Sequence, residues 1–422
     1  MVTVQMTTLA NGLRVISEGR DGLQTTAVGV WVDAGARYET SSNNGVAHML
    51  EHMAFKGTES RSAQDIAVEI ESVGGHLNAY TSREHTAYFV RVMKEDLGLS
   101  VDILGDILQR STFAEEEMAR ERTVVIQEIG QSEDTPDDII FDRLQEASFP
   151  GQALGRSILG PVDGVANMGR DVLFDFMGQH YCASRLMLCA AGAVDHDALV
   201  ALAETHFGQM APGTHNPFET ATFVGGENRE ERDLEQVHFV LSLPALPYDD
   251  PDFYPMQVMS TVLGGGMSSR LFQEVRERRG LCYSIFCFAS SYKDCGAFSV
   301  YAGTGADQAA ELVPVICDEM LRLGGDAAED EVARARNQLK AGTLMSLESS
   351  ASRVEQLARQ TLVFGRQIPV EELMERIDAV DVAAVRRVAG RIFTTANPAV
   401  AALGPIAGLA SQGEIAARFA KG

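Results

Sequence analysis

His48-Met49-Leu50-Glu51-His52-Met53-Ala54-Phe55-Lys56-Gly57-Thr58-Glu59-Ser60-Arg61 has a counterpart 209 positions further on (257 − 48), Gln257-Val258-Met259-Ser260-Thr261-Val262-Leu263-Gly264-Gly265-Gly266-Met267-Ser268-Ser269-Arg270. The offset aligns the closing Ser-Arg of both stretches and is nearly half of the 422-residue chain. Self-similarity on that scale predicts a duplicated unit. Gln257, Ser260 and Thr261 then fall opposite His48, Glu51 and His52, so only the first copy keeps a cluster suited to metal chemistry.

The elements around each copy repeat as well. Asn11-Gly12 between Thr7–Ala10 and Leu13–Ile16 predicts a tight hairpin, because this pair readily takes positive φ angles. A strand over 26–32 follows, then a helix over 46–55 and a second helix that starts at Ser62 and stops at Gly74-Gly75. Strands over 76–82 and 86–93 precede helices over 96–108 and 114–131. In the second half, strands over 282–290 and 297–302 lead into a helix over 306–323. The fold class this predicts is α+β: two homologous domains, each a mixed, mostly antiparallel sheet with helices packed on one face. Gly225-Gly226-Glu227-Asn228 and nearby charges interrupt the apolar pattern, which places the domains at 1–221 and 233–422 with a linker over 222–232.

Composition narrows the function classes. With 45% hydrophobic and 22% charged residues, 39 Gly, 13 Pro and no low-complexity tract, the chain reads as globular, and its length suits two domains. No apolar stretch approaches the roughly 20 residues that cross a bilayer. The 35 basic against 59 acidic residues leave a net charge of −24, which repels phosphate backbones and anionic lipids. Nucleic acid and membrane are therefore excluded as expected partners, whereas a basic peptide would be attracted. The six cysteines form no CxxC pair and read as free thiols. The amino-terminal segment from Met1 shows neither a secretory nor an organellar pattern, so the expected location is cytoplasmic.

On a helix, positions 48, 51 and 52 project from one face. Two neutral imidazoles at i and i+4 can donate to one Zn²⁺ at about 2.0–2.1 Å, while the carboxylate between them can hold water without ligating. Here the three polar residues interrupt an apolar run (Val46, Ala47, Met49, Leu50, Met53, Ala54, Phe55), where unpartnered polar groups would each cost a few kcal/mol on burial. A metal removes that cost. A hydrolytic site needs a third protein ligand and an open position. Glu121 and Glu128 are both available on the next long helix. Glu128 lies among Val125, Ile126 and Ile129, where an unpaired carboxylate is costly, and is the better ligand on that ground.

The segment Gly45–Thr58 resembles the inverted zinc motif, HxxEH, of the pitrilysin and insulin-degrading metallopeptidases, with the processing peptidases and their bacterial relatives the nearest branch. The likeness covers essentially the whole chain. It implies a zinc ion, one per chain, held by His48, His52 and Glu128, the last lying 76 residues after His52 (128 − 52), with Glu51 as general base and Glu121 as a supporting carboxylate. Asn78-Ala79-Tyr80-Thr81 resembles the edge strand that pairs with extended substrate. Gly264–Phe272 with Arg276 and Tyr283 resembles the family's second-domain signature, which implies that Arg276 and Tyr283 meet the substrate backbone or a developing oxyanion. Asp138 and Asp142 fall where processing peptidases carry acidic residues that receive basic substrate side chains. The function implied is a zinc-dependent endopeptidase cleaving peptides or presequence-like segments. The alternative is a non-catalytic peptide-binding or structural subunit of the same family, which its intact ligands argue against. Because one chain carries both the metal motif and the Arg276/Tyr283 pair, a homodimer is expected.

Overall fold

The computed structural model describes residues 4–214, 217–394 and 397–420. Met1, Val2 and Thr3, part of the segment read above for a targeting address, lie outside them.

Gly12 adopts φ +94° and closes the expected hairpin, joining β1 (Val4–Thr8) to β2 (Arg14–Gly19) with Thr8 opposite Arg14. Further strands are β3 (Thr25–Val32), β4 (His76–Thr81), β5 (Thr86–Met93) and β6 (Leu186–Gly192). They form a six-stranded sheet in the order β1-β2-β6-β3-β5-β4, in which only β2 and β6 run parallel. Alternation along β3 follows the pleat. Val28, Val30 and Val32 face helices α1 (Val46–Ala54), α2 (Ala63–Ser72) and α3 (Leu97–Gln109), while Ala27 and Trp31 face the other side. Ser62 starts α2 as the sequence indicates: its hydroxyl accepts from the Asp65 amide and its own amide donates to the Asp65 carboxylate.

A second sheet has five strands: β7 (Gly226–Glu231), β8 (Val237–Ala245), β9 (Cys282–Ser291), β10 (Gly296–Thr304) and β11 (Ala399–Gly404), in the order β7-β11-β8-β10-β9. This repeats the first sheet without its first strand. The single parallel pair, β7 with β11, stands where β2 pairs with β6, and every other neighbour is antiparallel. The helix Phe253–Gly264 follows β8 as α1 follows β3, and there the Thr261 hydroxyl donates to the Gln257 carbonyl 3.0 Å away. The duplication read from the 209-position offset is thus present in strand order as well as in sequence.

The two compact units do not divide at one point of the chain. One comprises Met1–Gln131, Arg156–Glu219 and Met345–Gln367; the other comprises Ser132–Gly155, Thr220–Leu344 and Ile368–Gly422. The contiguous division at 222–232 therefore needs correction. The stretch read as a linker contains β7, an edge strand whose half-buried and exposed residues account for its broken apolar pattern. Two helices are exchanged between the halves of the sequence. After the long helix α4 (Glu115–Glu133), helix α5 (Pro136–Ser148) sets Ile139, Ile140 and Leu144 against Val240, Ala399 and Ala401 of the second sheet. The helix Ser350–Phe364 in turn sets Val354, Leu357 and Ala358 against Ile16, Trp31 and Met187 of the first. Each sheet thus carries the helices of its own half on one face and one exchanged helix on the other.

The loop that leaves α1 is pinned by Asp106, a fully buried residue of α3. Its carboxylate accepts from Thr58 (2.7 Å), Ser60 (2.8 Å), Arg61 (3.0 Å) and Arg110 (2.6 Å). Burial opposes ionisation, yet these donors outweigh it and hold the Asp106 pKa down to about 2. A depressed carboxylate stabilises the fold above its unfolded value of 3.8, and that contribution is lost as pH falls toward 2. Asp106→Asn is expected to lower the unfolding free energy by about 2 kcal/mol at neutral pH, with the deficit shrinking below pH 4. Urea titrations of both proteins at pH 7 and pH 3 test this, and a pH-independent deficit would contradict it.

Candidate metal centre

Helix α1 is fixed at its amino end by an acid outside the helix. Gly45, at φ +95°, offers no side-chain cap, and the carboxylate of Glu39 fills that role. Glu39 accepts from the amides of Gly45 (2.9 Å) and Ala47 (2.8 Å) and from the Asn44 side chain (2.8 Å). A negative charge there meets the positive end of the helix dipole. Burial nonetheless pushes the Glu39 carboxyl up to about 7 against the pull of Asn44 and the two amides. The apolar stripe of α1, Val46, Ala47, Met49, Leu50, Met53 and Ala54, is buried in the sheet-facing core, which leaves His48, Glu51 and His52 on the remaining face.

The two imidazoles stand with ring centroids 4.6 Å apart. Helix α4 brings Glu128 to them: its Oε2 lies 3.6 Å from His48 Nε2 and 3.5 Å from His52 Nε2. Donor atoms of His48, His52 and Glu128 all fall within 4.8 Å of one another, and among the described residues no other group of three or more His, Cys, Asp or Glu is so arranged. His48 has a buried Nδ1 with no hydrogen-bond partner. Burial, followed by the nearby His52, lowers the His48 pKa to about 4, so its ring is neutral at pH 7. Two imidazoles with one carboxylate, side-chain exposures of 13%, 17% and 37%, form a three-ligand set that suits Zn²⁺ with a position left open.

Glu51 shares the helix face of the two histidines and feels the charges of His52 and Glu128 without belonging to the ligand set. The Thr81 hydroxyl donates to its Oε2 at 2.6 Å. Burial and the charge of Glu128 raise the Glu51 pKa, and the Thr81 bond and His52 oppose them. Glu121, two helical turns before Glu128 on α4, is only 5% exposed and divides its oxygens, with Oε2 3.0 Å from His52 Nδ1 and Oε1 2.7 Å from Lys56 Nζ.

Asn78, Ala79, Tyr80 and Thr81 lie on β4, which is the open edge of its sheet. Asn78 Oδ1 accepts from the Ala79 amide, 2.8 Å away. The Tyr80 side chain lies on the far face of the sheet, where its hydroxyl donates to Glu355 at 2.6 Å; the Trp31 indole donates to the same carboxylate at 3.2 Å. A cavity of about 640 Å³ opens between α2 and the start of β4, lined by Phe55, Lys56, Ile66, Ile70, Leu77 and Asn78 among others.

Four of the residues singled out in the sequence belong to the second unit. Asp138, exposed, and Asp142, half-buried, sit on α5. Arg276 lies in a π-helical segment, Phe272–Arg278, with its guanidinium 5.3 Å from the ring centre of Tyr283, a residue 77% exposed. The first unit thus gathers His48, Glu51, His52, Glu121 and Glu128 with Thr81, and the second gathers Arg276 with Tyr283. Sequence reasoning missed Glu39 and Lys56. An acidic residue just ahead of a helix is a cap signal that could have found the first, and a lysine one turn past His52 carries no signal by itself.

The chain is similar to known proteins over most of its length. Residues 14–162 match the family described as insulinase (peptidase family M16), and residues 167–339 match the peptidase M16 inactive domain. The mitochondrial-processing peptidase subunit beta of Mus musculus is 42% identical over 415 residues, covering 95% of this chain and 84% of that one. The chain belongs to peptidase family M16. A further M16 relative, named an uncharacterized zinc protease of Rickettsia felis, is 38% identical over 398 residues, with 94% of this chain and 96% of the other covered. The M16 fold is also matched by a protease from Helicobacter pylori, at a TM-score of 0.89 and 22% identity over 96% of this chain and 100% of that chain. The family's inactive-domain match falls largely on the half in which Gln257, Ser260 and Thr261 replace the metal-type residues.

Proposed function

We propose that this M16 peptidase is a zinc-dependent endopeptidase in which His48, His52 and Glu128 hold the ion and Glu51 is the general base. The observation that carries the reading is the meeting of three ligand-type donor atoms within 4.8 Å beside a carboxylate that is not one of them. Bound zinc supplies Lewis acidity, lowering the pKa of water and polarising a carbonyl. Glu51, steadied by Thr81, takes the proton of the attacking water and returns it to the leaving amine. The open edge of β4 offers backbone groups to an extended peptide, and the adjoining cavity has room for a large side chain. The substrate-holding roles implied for Arg276, Tyr283, Asp138 and Asp142 belong to the same proposal, as does a preference for basic peptides, which the net charge of −24 supports.

The test is digestion of an Arg- and Lys-containing peptide by the purified chain, with products identified by mass. Internal cleavage that a chelator abolishes and added zinc restores is the expected result. Stepwise release of terminal residues would refute the endopeptidase assignment, and cleavage indifferent to chelator would refute the metal. A cytoplasmic location and a homodimer complete the proposal. Relatives named as a β subunit give the homodimer no support, and sedimentation of the purified chain decides it. No helix among the described residues is long and apolar enough to cross a membrane.

A further inference from the structure

We infer that Lys56 is a positioning residue of the metal centre, acting through Glu121 to fix which nitrogen of His52 faces the ion; the inference rests on the zinc reading above. The chain of contacts is short. Lys56 Nζ lies 2.7 Å from Glu121 Oε1, and Glu121 Oε2 lies 3.0 Å from His52 Nδ1. An ammonium can only donate, so Oε1 accepts from Lys56. The carboxylate so paired has Oε2 left as an acceptor, and His52 Nδ1 must be the donor that meets it. The lone pair of His52 is thereby placed on Nε2, the atom that lies 3.5 Å from Glu128 Oε2. Glu121 is 5% exposed, so water gives it little help, and Lys56 is the cation the structure sets against it.

His48 supplies the contrast. Its Nδ1 is buried without a partner, so no carboxylate behind the ring sets its tautomer as Glu121 does for His52. One of the two imidazoles is therefore preset for the ion before it arrives and the other is not, and the preset one depends on a lysine outside the ligand set. Lys56 is held where it is by the same loop that Asp106 pins through Thr58, Ser60 and Arg61, which gives a flexible side chain a fixed origin.

Lys56→Met keeps most of the length and volume of the side chain and removes the ammonium, with its charge and its donors. It is expected to weaken zinc binding about 10-fold, at the lower end of the 10–100-fold cost of losing a partner behind a metal-bound histidine. Competition of the zinc-free protein against a chromophoric chelator measures this, and Lys56→Arg should restore at least most of the affinity. Nitrogen-15 spectra of the imidazoles in zinc-free protein give a second readout: His52 should be a single Nδ1–H tautomer in the wild type and a mixture in Lys56→Met. Circular dichroism of the variant, unchanged from wild type, excludes a folding defect as the cause. Zinc affinity within about twofold of wild type in Lys56→Met, or an arginine variant as weak as the methionine one, overturns the inference. A wild-type protein that binds no zinc in the same titration instead sinks the metal reading on which it stands.

Discussion

Glu51→Gln is expected to retain zinc at one ion per chain and to lose peptide cleavage by about 10²–10⁴-fold in kcat, the usual span of general-base catalysis. The substitution isolates one property. Glutamine fills the same space, and its carbonyl can still accept the hydrogen bond that the Thr81 hydroxyl gives Oε2 at 2.6 Å. What it cannot do is take a proton. The ligand atoms are untouched, because His48, His52 and Glu128 meet one another without Glu51. Zinc content by atomic absorption and kcat on a fixed peptide, measured on the same preparation, separate the roles. A variant that turns over at near wild-type rate would remove Glu51 from the mechanism, and one that loses zinc would move it into the ligand set. The loss should appear in kcat far more than in KM, since a base that acts on water contributes in the transition state and little to holding the peptide.

How much of this was legible follows from the range of the interactions. Asn11-Gly12, the strand over 26–32 and the helix start at Ser62 depend on interactions within a few residues, and all three formed as the sequence indicates. His48, Glu51 and His52 were legible for the same reason: helical spacing alone puts them on one face. Glu128 was favoured over Glu121 by its apolar neighbours, and the structure gives the two carboxylates different tasks on the same helix, one against both Nε2 atoms and one behind His52. The Thr81–Glu51 bond spans 30 positions and exists only because β4 lies beside α1, so no local pattern announces it. The exchanged helices were illegible for a further reason. The apolar stripe of α5, Ile139, Ile140 and Leu144, says that one face is buried but not which sheet buries it, and the sheet turns out to be the one formed by the later half of the chain. The half-exposed character of β7 misled in the other direction, since an edge strand and a linker look alike when judged by apolar periodicity.

His48→Leu should make the zinc-free protein more stable while abolishing zinc binding. The side chain sits in the apolar run of α1 with 13% of its surface exposed, and its Nδ1 is buried without a partner. An unsatisfied buried polar nitrogen of this kind costs about 1–3 kcal/mol, and leucine, of comparable volume, has none to satisfy. The expected gain in the absence of metal is therefore about 1 kcal/mol, allowing for imperfect fit. Zinc reverses the order. At 100 times its dissociation constant a bound ion stabilises the native wild type by about 2.7 kcal/mol, and the variant, with one ligand gone, receives little of this. Thermal unfolding with and without zinc should thus show the two proteins crossing: the variant melts higher in chelator and lower in zinc. A residue kept at a stability cost in the empty protein is one whose value lies in its ligand. If His48→Leu instead melts far lower than wild type in chelator, the imidazole is part of the core and not a ligand held in readiness. If the variant is stabilised by zinc as strongly as the wild type, the ion binds elsewhere and the assignment of all three ligands fails with it.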